Sequence, residues 1–149
     1  MIEIRTYLET SDERLVEIGS ATEAPPDENY VEGALELTVN GVRIIDVAMG
    51  DYIDQLWSYI SDMVSDLLAT GSADTRFPET PTTLSFQRQG HNRVLVTLEK
   101  RGERRVASAA EDELVDALRT HGAEFFAVMT RLLPQAQKSH EAALSRLLG

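Results

Sequence analysis

Two rhythms run through the chain, an alternation of apolar and polar residues with period two and a helical spacing confined to two long stretches, and together they divide it into elements. Ile2, Ile4, Thr6 and Leu8 alternate with Glu3, Arg5, Tyr7 and Glu9, which predicts a first strand, and the short run Leu15 to Ile18 can pair back with it. Residues 19–29, with Pro25-Pro26 and several acids, read as a loop. From Val31 the alternation resumes around Asn40-Gly41, the dipeptide best suited to a type I′ hairpin because both central residues need positive φ. That turn sets Val39 opposite Val42, Leu37 opposite Ile44 and Leu35 opposite Asp46 on one face, with Thr38 opposite Arg43 and Glu36 opposite Ile45 on the other. A helix follows from Asp51 to Leu68, with Asp51 as its cap, Gly71 as its stop, and Ile53, Leu56, Trp57, Ile60, Met63, Val64, Leu67 and Leu68 as its apolar stripe.

The second half repeats the plan. Residues 70–81 read as a connecting loop stiffened by Pro78 and Pro81, with Phe77 as an apolar plug. Strands around Leu84–Phe86, Val94–Leu98 and Arg104–Ala107 form a three-strand meander through turns at Gly90-His91-Asn92 and Lys100 to Glu103. Ser108-Ala109-Ala110-Glu111 has capping-box spacing and opens a second helix that Pro134 ends. Gly122 interrupts its stripe, which implies close approach of the sheet or the first helix. The expected architecture is one α+β domain over residues 1–149: an antiparallel sheet of about five or six strands, two long helices packed on one face, and a short C-terminal helix in residues 134–149 that docks on its own chain or on another subunit. Strands followed by a helix occur twice, so a pseudo-twofold layout is possible.

At 149 residues such a domain buries roughly 70% of the surface its unfolded chain exposes. There is no cysteine, and the three histidines, at 91, 121 and 140, are far apart, so neither a disulfide framework nor a metal site is expected. The net charge of −11 is uneven: residues 1–79 hold 17 acids and 4 bases, residues 80–149 hold 8 acids and 10 bases. Phosphate contacts need clustered Lys or Arg, so nucleic acid is a poor partner for the acidic half, whereas a basic protein suits it. The first residues lack a basic segment followed by an apolar core, and no run approaches the ~18 apolar residues of a membrane span, from which a cytoplasmic protein with no membrane contact is expected.

No nucleophile elbow, phosphate loop, dinucleotide fingerprint or zinc-binding HExxH is present, so neither catalysis nor a cofactor is expected. Asp46 breaks the apolar face of the hairpin. Either it ends the strand past a bulge and accepts main-chain N–H groups, or it is a functional acid, in which case His91 and His121 are the residues to complete a composite site. Trp57 lies in the helical stripe and reads as core. Lys100, Arg101, Arg104 and Arg105 form a basic hairpin tip with no aromatic platform, which reads as a solvated tip or a surface for the acidic half of another chain. The outer face of the first helix carries Asp51, Asp54, Asp62 and Asp66 and no Lys or Arg, and these four acids are the candidate partner-binding residues.

The succession of strands, Asn40-Gly41 hairpin, Trp57-bearing acidic helix, Phe77-Pro78 loop, three-strand meander and closing helix resembles small acidic immunity-type domains that accompany bacterial toxins, and uncharacterised actinobacterial domains of similar length. The resemblance implies a non-enzymatic binder of a cognate protein and assigns no binding residue. The leading expectation is therefore a protein-binding module for a basic partner. A small-molecule protein or enzyme with a pocket between sheet and helices, and a structural homo-oligomer, are the alternatives.

Overall fold

The computed structural model describes residues 1–149 and is α+β, as the periodicities imply. The strands are β1 (Ile2–Glu9), β2 (Leu15–Glu17), β3 (Glu32–Val39), β4 (Val42–Ile45), β5 (Asp51–Tyr52), β6 (Ser72–Arg76), β7 (Thr82–Arg88), β8 (Arg93–Lys100) and β9 (Glu103–Ala110). The helices are α1 (Ile53–Thr70), α2 (Glu111–Leu132) and α3 (Gln137–Leu148). No helix is long and apolar enough to cross a membrane.

The strands divide into two antiparallel sheets where one was expected: β2-β1-β3-β4 with β5 against the start of β3, and β6-β7-β8-β9. β4 and β9 lie side by side, yet side chains join them in place of a backbone ladder. The Asn40 amide donates to the Ser108 carbonyl at 2.6 Å, and Arg105 donates to the Arg43 carbonyl at 3.2 Å and to Asp46 at 3.0 Å. A five-stranded sheet precedes α1 and a four-stranded one precedes α2, so strands followed by a long helix occur twice in the order of elements.

Asn40 and Gly41 both have positive φ, 47° and 85°, and Val39–Val42 and Thr38–Arg43 pair as the turn dictates. A bulge between Leu37 and Thr38 then moves Ile45 opposite Leu37, so the Leu37–Ile44 and Leu35–Asp46 pairings do not form. The bulge buries both Ile44 and Ile45 and releases Asp46 from the strand. β6 was not expected. Its sequence, Ser-Ala-Asp-Thr-Arg, buries only Ala73, as suits an edge strand, and Gly71, left-handed at φ 82°, turns α1 directly into it. The capping box also fails, because β9 runs through Ser108 to Ala110. The start of α2 is capped from the β7–β8 turn instead: Asn92 accepts from the Glu111 N–H through its carbonyl and from the Asp112 N–H through its side chain, each at 3.1 Å.

One hydrophobic cluster fills the interior and draws on both sheets and all three helices. Trp57 is its centre. The indole is fully buried, stacks on Phe125 of α2 with centroids 6.1 Å apart, and donates to the Thr6 hydroxyl of β1 at 3.1 Å. Gly122 lies against it, where an added Cβ would come within 2.4 Å of Leu147 of α3 and 3.0 Å of the indole. The C-terminal helix thus folds back on its own chain. At the other end, Arg88 binds both Glu111 carboxylate oxygens, at 2.6 and 2.9 Å, and the Leu67 carbonyl at 3.0 Å, clamping the end of α1 to the start of α2.

Two glycine substitutions test this packing. A Cβ on Gly33 would sit 2.2 Å from the Tyr7 carbonyl and 2.9 Å from Ile53, neither of which can yield, so Gly33→Ala is expected to lose at least about 2 kcal/mol in urea unfolding. Gly122→Ala is expected to lose about 1 kcal/mol, although the same change in an unobstructed helix gains about that much.

Candidate functional site

The four candidate acids of the first helix do not form one open surface. Asp51 precedes α1, in β5, and is 8% exposed; the helix cap is Tyr52. Its carboxylate faces inward and accepts from the Tyr52 N–H at 2.7 Å, the Glu79 N–H at 3.1 Å, the Thr80 N–H at 3.1 Å and the Thr80 hydroxyl at 3.0 Å. It fastens the Phe77–Pro81 turn to the start of the helix. Asp54 is half-buried, and burial holds its carboxyl above the usual range despite a hydrogen bond from the Gln55 N–H. Asp62 is exposed but bonded to Arg146 of α3 at 2.5 Å. Asp66 alone stands exposed without an ion pair. The physical reason is α3, whose Ala143 and Leu147 pack inward while Arg146 reaches Asp62 and Ser58 across the face expected to be free.

The second candidate set is dispersed. Asp46 ends the β4 strand past the bulge, accepts from the Ala48 N–H at 2.9 Å, and pairs with Arg105. Burial alone would raise its carboxyl, but the hydrogen bonds from Arg105 and Ala48 and the guanidinium charge outweigh it, leaving the group below the usual range. His91 is exposed in the β7–β8 turn and His121 half-buried on α2. The basic tip is largely neutralised: Lys100 pairs with Glu103 at 3.9 Å, Arg104 with Glu99 at 3.4 Å, and Arg105 with Asp46 and Glu103.

The acidic charge gathers instead in a groove of about 590 Å³ where β1, β3 and β5 meet the 46–50 turn. Glu9, Glu13, Glu32 and Glu79 ring it, and no Lys or Arg lines it. Register explains the crowding. Leu8 pairs with Gly33, so Glu9 and Glu32, the next residues outward, face each other. A hydrogen bond shared with Glu32, then burial and the Glu32 and Glu13 charges, raise the Glu9 carboxyl. Apolar surface accompanies the acids: Leu15 is 42% and Val47 39% exposed, and Tyr52 in the wall lies 5.4 Å, centroid to centroid, from the exposed ring of Tyr30. Burial, then Glu79 and Glu32, hold the Tyr52 phenol above its usual range, so it remains a donor.

Sequence reasoning missed this groove because its acids come from four separate segments. The only signal was the excess of acid before residue 80. Comparison of the chain with protein-family models, with curated proteins and with solved structures gives no match, so function is argued from geometry.

Asp51→Ala is expected to destabilise the protein by about 2–4 kcal/mol in chemical unfolding, because it strands the N–H groups of Glu79 and Thr80. Asp54 gives the opposite sign. A carboxyl raised by folding contributes stability below its unfolded value, about 3.9, and loses it as pH rises through the folded one. Asp54→Asn should therefore melt higher than the parent at pH 7, with the difference closing below about pH 4.

Proposed function

We propose that this chain is a non-enzymatic protein-binding module that takes a basic partner in the groove between Glu9, Glu32 and Glu79. The observation that carries this reading is a concave site with four glutamates, no cation of its own, and apolar and aromatic surface beside the charge. Guanidinium groups suit it doubly, since they bind carboxylates bidentately and stack on aromatic faces such as Tyr30 and Tyr52. Leu15 and Val47 supply area that survives salt screening. Crowding of Glu9 against Glu32 costs energy in the free protein, and a bound cation relieves it by offsetting their mutual repulsion. An immunity-type role, neutralising a basic toxin, is one instance of such a module.

The test is titration of a labelled arginine-rich peptide containing one leucine, followed by anisotropy. Replacing Glu9, Glu32 and Glu79 together by Gln is expected to weaken binding at least tenfold, whereas Asp66, Asp74 and Asp116 together changed to Asn should alter it less than twofold. Binding should also be tighter at pH 7 than at pH 5. Equal losses in the two triple variants would reduce the effect to net charge and sink the proposal.

A second reading has its own support. Ala48 lines both the groove and the cleft beside Lys100 and Arg101, so the acidic site and the basic tip adjoin on one face. Two copies related by a twofold axis can then exchange tip and groove reciprocally. Sizing at about 50 mM and 500 mM salt checks this: a dimer that dissociates at high salt and is abolished by Arg101→Glu supports it, and a monomer throughout removes it.

A further inference from the structure

The two outer strands of the sheet β6-β7-β8-β9 differ in what meets their open sides. β9 lies beside β4, whereas β6 has no strand beyond it. The ladder with β7 decides which backbone groups of β6 are left over. The Gly71 carbonyl accepts from the Arg88 N–H and the Phe77 N–H donates to the Thr82 carbonyl, each at 2.8 Å, so Gly71, Ala73, Thr75 and Phe77 turn their backbone groups to β7. Ser72, Asp74 and Arg76 turn theirs outward, and all three residues are exposed.

Local bonds quench part of this edge. The Thr70 hydroxyl donates to the Ser72 carbonyl at 3.0 Å and accepts from its N–H at 3.4 Å. The Thr75 hydroxyl donates to the Arg76 carbonyl at 3.2 Å, which keeps a second lone pair. The groups still open are therefore those of Asp74 and Arg76. Their side chains share the solvent face of the strand, and neither enters an ion pair within the chain.

Antiparallel pairing of this edge with its own copy can be centred on Asp74, Thr75 or Arg76. Centring on Asp74 opposes that carboxylate to itself and calls on Ser72, whose groups Thr70 already holds. Centring on Arg76 opposes two guanidinium groups and sets Asp74 against Pro78, which has no N–H. Like charges directly opposite are destabilising. Centring on Thr75 sets Asp74 opposite Arg76 twice, makes four main-chain bonds from the groups left open, and brings the two Thr75 side chains together as a non-hydrogen-bonded pair. Charge on an edge strand ordinarily repels another edge, but here the two charges sum to zero and match their own image under a twofold axis.

We propose that β6 is a self-association edge: two copies pair antiparallel about Thr75, so that two four-stranded sheets become one continuous sheet, with Asp74 of each copy paired to Arg76 of the other. The pairing uses none of the glutamates that ring the groove and neither Lys100 nor Arg101, so it is independent of both readings above. An edge this short makes the association weak and reversible.

Sedimentation velocity of the full chain from about 10 µM to about 1 mM reads it, a range set by the small interface. The expected result is a dimer that grows with concentration in the parent, association at least tenfold weaker in Arg76→Asp, and recovery when Asp74→Arg is added to Arg76→Asp. Arg101→Glu should leave it unchanged, which separates this edge from exchange of tip and groove. The chain has no cysteine, so Thr75→Cys gives a second readout. Cα atoms about 4.5 Å apart in a non-hydrogen-bonded pair admit a disulfide, and oxidation should yield a covalent dimer that Arg76→Asp suppresses. A parent monomeric throughout, which leaves the edge to a foreign strand or to none, would overturn the proposal. So would a dimer indifferent to Arg76→Asp, or a double variant with the parent circular dichroism that stays monomeric.

Discussion

The structure depends on burying one indole completely. Trp57 is too large to be enclosed by its own helix and a single sheet, and its N–H must find an acceptor away from water. Thr6 supplies the acceptor from β1, Phe125 covers a ring face from α2, and the missing side chain at Gly122 lets α2 and Leu147 of α3 close over the edge. Three elements distant in sequence from α1 are thereby fixed to one residue. The two sheets need no shared backbone ladder, because the cluster around Trp57 and the side-chain ties between β4 and β9 already hold them together.

That closure redistributes the charge. Docking α3 across α1 neutralises Asp62 and crowds Asp54, while the inward turn of Asp51 uses a carboxylate to tie down a loop rather than to meet a partner. Acids that look equivalent along the chain acquire three different environments. Four unpaired glutamates gather where β1, β3 and β5 converge, with Gly33 at the centre because the Tyr7 carbonyl and Ile53 leave no room for a side chain. Gly33 thus belongs both to the packing of the sheet and to the floor of the groove.

Local patterns carried much of this fold. Asn40-Gly41, the α1 and α2 stripes, the stop at Gly71, the break at Pro134 and the core position of Trp57 are all legible, because each follows from backbone stereochemistry or from periodicity within a single element. Features that arise between elements were hidden. The bulge after Leu37 slips the register by one residue, and no sequence signal marks it, although it decides whether Asp46 faces the core. β6 has one buried side chain and therefore no alternation to detect. Ser108 and Glu111 satisfy the spacing of a capping box, but continued pairing of β9 with β8 overrides it and Asn92 caps from outside. The candidate site was the least legible part, since Glu9, Glu32 and Glu79 are ordinary surface acids until the sheet sets them around one concavity.

The solitary indole has a further consequence. With no other tryptophan in the chain, the indole emission, excited where tyrosine does not absorb, arises from one ring whose surroundings are β1, α2 and α3 together. Any loosening of the last helix hydrates that ring and shifts its fluorescence to the red, even while the sheets stay intact. The molecule thus carries its own optical gauge of how tightly its terminal segment is seated, with no dye or label required.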